Sequence, residues 1–143
     1  RCWLPLETFA NRPEIRRACF PAFNLMTTAD ALAACYAAVL GRGASVPRLL
    51  APEWIPRIAD RGHHPPDAPA QGAFCLGFHR YDLPGADGLC VFGHQGYGGS
   101  IALAVPGRKL ALALVKNRTS VAQPLRRRLL EALDLPPGLT GGA

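Results

Sequence analysis

The sequence predicts a layered α/β (α+β) domain in which antiparallel strands are flanked by helices. Three observations predict it. Apolar residues recur at helical spacing between Thr28 and Leu40, a succession of short apolar runs follows from residue 72 to residue 117, and helical spacing returns between Val121 and Leu133. With 14 Pro and 15 Gly among 143 residues, the chain calls for many turns and short elements rather than a helical bundle.

Residues 1–20 lack a clean period. Pro5, Pro13 and the Arg16-Arg17 pair suggest a loop or short helix, read as a connecting segment to something upstream. The opening at Arg1, without Met or a basic-then-apolar leader, fits a piece of a longer protein. Residues 21–135 then form the domain portion and residues 136–143 a tail.

Thr27 or Thr28 can cap the first clear helix, and Asp30 in its first turn suits the positive helix end. Leu32, Cys35, Tyr36, Val39 and Leu40 define one apolar face, and Gly41 and Gly43 end the helix. Pro47 to Ile58 reads as a short helix or turn carrying Leu49, Leu50, Trp54 and Ile58. The polar, Pro-rich run from Asp60 to Pro69 is an exposed loop holding His63 and His64.

Residues 72–81 have strand composition and are read as one strand, followed by a turn from Asp82 to Gly88. Leu89 to Phe92 is a short strand running into a glycine cluster. Ser100 to Val105 and Leu110 to Asn117 are strands joined by the Pro106–Lys109 hairpin turn. Their nearly continuous apolar character predicts cover on both sheet faces, which this chain alone is expected not to supply in full. Ser120 can cap the last helix, and Pro136-Pro137-Gly138 stops it.

The formal net charge of +6 is unevenly placed: residues 1–87 hold 9 basic and 8 acidic side chains, and residues 88–143 hold 7 and 2. A phosphate-contacting stripe would use the second stretch, but no aromatic stacking platform accompanies it. Arg108 and Lys109 are therefore placed in a turn and Arg126 to Arg128 on the solvated side of a helix, and nucleic acid is not expected as a partner. No apolar stretch approaches the roughly 20 residues a membrane helix needs, so no membrane segment is expected.

Five widely spaced cysteines, Cys2, Cys19, Cys35, Cys75 and Cys90, without Cys-x-x-Cys, read as buried free thiols. Cys75 and His79, and Cys90 and His94, are each four residues apart. On one strand that spacing covers roughly 13 Å. Ligands of one zinc ion lie about 2.0 to 2.3 Å from it. A site drawn across two paired strands stays open, but no metal and no cofactor are assigned.

The unusual feature is the cluster Gly93, Gly96, Gly98 and Gly99, with His94 and Tyr97 among them. Such a segment can bring backbone N–H groups and an imidazole close to a reacting carbonyl, a strong source of transition-state stabilisation.

The stretch Phe92-Gly93-His94-Gln95-Gly96-Tyr97-Gly98-Gly99-Ser100, followed by Pro106, an apolar strand and Lys116-Asn117-Arg118, resembles the C-terminal third of the serine β-lactamase-like family. That family includes class C β-lactamases, D,D-carboxypeptidases and related esterases. Gly72 to Tyr81 resembles the strand preceding its third motif. The Thr28–Leu40 helix with Leu49-Leu50-Ala51-Pro52-Glu53-Trp54 is similar to an earlier helix and the segment after it. On this basis the resemblance covers residues 21–135 and implies the C-terminal portion of a β-lactamase-like domain.

The resemblance implies roles residue by residue. His94 takes the first position of the Lys-Thr-Gly or His-x-Gly motif, a catalytic-site group that meets substrate or polarises the network. Tyr97 supplies a backbone N–H to the oxyanion hole. Gln95, Gly96 and Gly98 belong to the substrate-binding edge, Gln95 replacing a Thr or Ser. A His in place of Lys weakens an anion site and favours esters or peptides.

The three serines, Ser45, Ser100 and Ser120, are followed three residues on by Arg, Leu and Gln, so none forms the family's Ser-x-x-Lys. Tyr36, Tyr81 and Tyr97 are followed two residues on by Ala, Leu and Gly, so Tyr-x-Asn is missing too. The expectation is therefore a fragment of a serine hydrolase, inert alone, whose partners are a small-molecule or peptide acyl substrate and the missing N-terminal part of the same domain. The alternative is a non-catalytic binding or scaffold module of the same fold.

Overall fold

The computed structural model describes residues 6–20, 25–43, 46–60, 73–83, 90–96, 98–118, 122–136 and 139. Two short helices, α1 (Leu6–Ala10) and α2 (Pro13–Arg17), occupy the stretch read as a connector. Pro13 opens α2 at a position where its missing N–H costs nothing, with Glu14 in the first turn and Arg16 and Arg17 in the last, as the helix dipole favours.

Helix α3 (Ala29–Val39) follows its sequence signals closely. The Thr28 hydroxyl accepts the Ala31 N–H at 3.2 Å. At the other end Gly41 N–H donates to Ala38 O (3.0 Å) and Arg42 N–H to Ala37 O (2.8 Å), the paired bonds of a Schellman ending. Leu32, Tyr36, Val39 and Leu40 pack onto the sheet as expected, but Cys35 is exposed. Ala38 is buried instead, because the following loop folds back and Leu49 N–H donates to Ala38 O at 3.1 Å. Helix α4 (Trp54–Ala59) lies at the end of the second expected element and buries Ile58. His63 and His64 lie outside the described residues.

The strands are β1 (Ala73–Cys75), β2 (Phe78–Asp82), β3 (Cys90–Gln95), β4 (Ile101–Val105) and β5 (Leu110–Leu114), antiparallel in the order β1-β2-β3-β4-β5. The single strand expected over 72–81 is in fact a hairpin. Cys75 faces Phe78, and between them Leu76 (φ +49°) and Gly77 (φ +87°) both adopt positive φ, the signature of the two-residue turn whose twist matches the strands it joins. Strand β3 runs three residues past the expected end at Phe92. Strand β5 stops at Leu114, not Asn117, and beyond it Lys116 N–H donates to Ser100 Oγ at 3.0 Å. The β4–β5 connection is a 3-10 turn, Pro106–Arg108, closed by Lys109 at φ +54°.

Every residue of β4 is buried, and alternation along the strand divides the core in two. Ile101, Leu103 and Val105 join Tyr81, Val91, Leu112 and Leu130 on one side. Ala102 and Ala104 join Tyr36, Val39, Ile58 and Phe92 on the other, where small residues let α3 approach the sheet closely. The two-sided cover inferred from the apolar pattern is present at β4, where α3 and α4 cover one face and the last helix the other, while β5 is only partly buried and Phe74, Leu76 and Val115 are exposed.

That helix, α5 (Pro124–Ala132), begins later than Val121; Ser120 lies outside the described residues. It ends before Pro136 is reached. Asp134 adopts φ +51°, Leu135 N–H donates to Leu130 O (2.8 Å), and Arg108 donates to Leu133 O (2.7 Å) and Asp134 O (3.2 Å). A cation from the β4–β5 turn thus satisfies carbonyls at a helix C-terminus.

Buried Arg80 ties β2 to α4, donating through Nε to Ala59 O at 2.6 Å while pairing with Asp82 at 2.6 Å. Of the cysteines expected to be buried, Cys19 and Cys35 are exposed, whereas Cys75 and Cys90 are buried thiols, and burial pushes the pKa of these two up. They behave as small apolar residues rather than nucleophiles.

Candidate functional site at the end of strand β3

The glycines of the β3 end divide by what surrounds them. A Cβ on Gly93 would collide with Ala102 O and come within 2.8 Å of Leu103 Cα, so this glycine is required by the approach of β4. A Cβ on Gly96 would meet nothing nearer than Ser100, at 3.7 Å. Gly96 N–H donates to Ser100 O (2.8 Å) and Gly99 N–H to Gly96 O (3.1 Å), a tight reversal from β3 to β4. Gly98 is half-buried at φ +93°. Tyr97 lies outside the described residues.

Pairing between β2 and β3 ends at His79↔Gly93, whereas pairing with β4 continues through His94↔Ala102 and Gln95↔Ile101. The end of β3 therefore overhangs its β2 neighbour. Since Gly96 directs its main chain to β4, alternation along the strand turns the main chain of Gln95 the other way, toward the side where the β2 ladder has stopped. His94 is exposed at this overhang, its ring 5.0 Å from that of His79 and 5.7 Å from that of Phe74.

Two cations stand behind the overhang. Lys116 Nζ donates to Gly98 O (3.0 Å) and to Gln123 Oε1 (2.9 Å), and Arg126 donates to Gln95 Oε1 (3.1 Å). These acceptors are neutral, so the positive charge is directed but not cancelled, and the local potential favours an anionic or carbonyl-bearing ligand. Burial lowers the pKa of Arg126, with neighbouring Tyr81 opposing; burial pushes the Tyr81 phenol up, with Arg126 opposing.

The structure brings His94, Gln95, Gly96 and Gly98 onto one strand end and turn. Gln95 has its side chain engaged by Arg126. Sequence reasoning missed Lys116, Gln123 and Arg126 as parts of this site. Lys116 and Arg126 were read within a basic run, and Arg126, expected on the solvated side of its helix, is half-buried. The usable signal was a run of cations without an intervening acid, but which of them meets the turn depends on how β5 and α5 fold back.

Cys75 and His79 stand on opposite sides of the β1–β2 turn, and Cys75 Sγ donates to Arg57 O at 3.7 Å. Among the described residues no group of three or more His, Cys, Asp or Glu is gathered as for a metal ion. No helix among them is long and apolar enough to cross a membrane. An open depression of about 310 Å³ lined by Pro13, Arg16, Arg17 and Met26 involves no residue of β3 or its turn.

The chain thus presents a five-stranded antiparallel sheet flanked by helices, with a His-Gln-Gly strand end before a glycine turn. A family model described as Beta-lactamase matches residues 3–135. The chain belongs to the beta-lactamase family. No curated protein and no solved structure matches it.

The beta-lactamase match corrects several expectations. The likeness is not confined to residues 21–135, nor to a C-terminal portion of the fold, because the match takes in nearly the whole chain and includes α1 and α2. The reading of the chain as a fragment that supplies one wall of a site gives way to that of a beta-lactamase-family domain over residues 3–135. The expectation of a missing N-terminal part of the same domain as partner is likewise corrected by the match over residues 3–135.

Proposed function

We propose that this beta-lactamase-family chain is a binding module for acyl compounds, esters, peptides or β-lactams, held along the overhanging end of β3 without formation of an acyl-serine bond. The observation that carries the proposal is the end of β2 pairing at His79↔Gly93, which leaves the His94–Gly96 edge beyond its neighbour. An extended acyl ligand can add to such an edge through main-chain hydrogen bonds. His94 would hydrogen-bond the ligand carbonyl, the small Gly96 would let it lie against the strand, and Lys116 and Arg126 would favour a carboxylate. Non-covalent binding is favoured because none of Ser45, Ser100 and Ser120 has a Lys three residues on to activate it.

The test is incubation of the chain with a fluorescent penicillin, followed by dilution and intact-mass measurement. The expected result is saturable binding that reverses on dilution, leaves the protein mass unchanged and weakens in Gly96→Val, whose side chain would occupy the strand edge. A stable adduct of penicillin mass, or binding indifferent to Gly96→Val, would refute the reading.

A further inference from the structure

We infer that His79 and His94 form a two-imidazole site for a divalent first-row transition metal ion, a site that shares His94 with the acyl-binding reading but does not rest on it. Spacing along a single strand argues against shared ligation, but the structure joins the two histidines across strands. Their ring centres lie 5.0 Å apart. An ion held at about 2.0–2.1 Å from one nitrogen of each ring sits about 3 Å from each ring centre, so ring centres sharing an ion lie at most roughly 6 Å apart. The observed separation fits within that limit.

The surroundings explain why the rings meet. His79 pairs directly with Gly93, whose missing side chain leaves room beside the imidazole, and the His94 ring comes within 5.0 Å of it at the end of the β2 ladder although strand alternation starts the two side chains on opposite faces. Phe74 packs on His79 with ring centres 3.8 Å apart, and Tyr81 stacks on the same imidazole at 6.2 Å. These contacts orient the His79 ring before any ion arrives, which lowers the ordering cost of ligation. Exposed His94 supplies the second donor and leaves the remaining coordination positions to water. Neutral imidazole donors suit zinc, nickel and copper ions better than magnesium or calcium.

The chain is titrated with zinc chloride, without any acyl compound, while the imidazole nitrogen and proton resonances are followed by NMR. The His79 and His94 resonances are expected to move together and saturate at one ion per pair. His94→Ala, at an exposed position, keeps the fold and is expected to weaken this binding by about tenfold or more, as is His79→Ala. Zinc that shifts other histidines while leaving these two in place, or an affinity unchanged by His94→Ala, would overturn the inference. Because no acyl ligand is present, neither result bears on the penicillin experiment.

Discussion

Lys116 is tied to Gly98: its ammonium donates to the Gly98 carbonyl at 3.0 Å and at the same time to Gln123 Oε1 at 2.9 Å. Its own N–H donates to Ser100 Oγ, so one residue beyond β5 holds the middle and the far end of the turn that follows β3. The engagement of Gln123 also explains why α5 starts without a side-chain cap: the residue at its N-cap position has its amide oxygen turned toward Lys116.

Replacing Lys116 by Met keeps the apolar stem and the backbone N–H and removes the two ammonium hydrogen bonds. Hydrogen bonds from charged groups contribute about 1.5–3 kcal/mol when their acceptors are removed from water, and less when partly solvated. Lys116→Met is expected to lower unfolding stability by about 1–2 kcal/mol and to weaken binding of the fluorescent penicillin, with Lys116→Arg recovering part of both. Urea unfolding and the binding titration measure the two effects. A variant with unaltered stability would show that the clamp contributes nothing to the turn.

Gly93 and Gly96 are expected to respond in opposite ways to the same change. Alanine at Gly93 forces a methyl group into the β4 backbone, which cannot move without breaking the ladder, and is expected to cost about 3 kcal/mol. Alanine at Gly96 meets only ordinary contact with Ser100 and is expected to cost less than about 1 kcal/mol. Thermal or urea unfolding of the two variants checks the contrast. Equal costs would show that the glycines of the cluster share one role.

What could be read from the sequence was whatever depends on neighbours in the chain. Thr28, Asp30 and Gly41 mark the ends of α3 because capping is local, and the Leu-Ala alternation of β4 and β5 showed two-sided burial because strand periodicity is local. The β1–β2 hairpin was missed because Leu76 is a poor residue for positive φ; only Gly77 signals the turn, and a lone glycine also fits a weakened strand. The exposure of Cys35 was missed because the loop that completes the α3 packing surface returns only at Leu49. At the site, His94, Gln95 and Gly96 were named from their own motif. The clamps on Gly98 and Gln95 come from residues 18 and 31 positions away, beyond the reach of any local pattern.

The buried phenol of Tyr36 gives the fold a distinct alkaline limit. Burial between α3 and the sheet, where its ring meets Phe78 edge-on at 6.1 Å, pushes its pKa up to about 12, and adjacent Cys35 adds to the rise. An unfolded tyrosine ionises near its ordinary value of about 10. Below that pH both states hold the proton and the full stability associated with the neutral buried phenol is present. Between about pH 10 and pH 12 the unfolded state loses its proton while the folded state keeps it, so this stability declines as pH rises and is gone above the folded value. The loss attributable to Tyr36 is on the order of 2 kcal/mol. Tyr36→Phe keeps the ring and removes the ionisation. Urea unfolding at about pH 9 and about pH 11.5 should show a fall in stability that is smaller in the Phe variant by that order. An identical fall in both proteins would mean that the phenol reaches water in the folded state, and that the α3–sheet contact is looser than its packing requires.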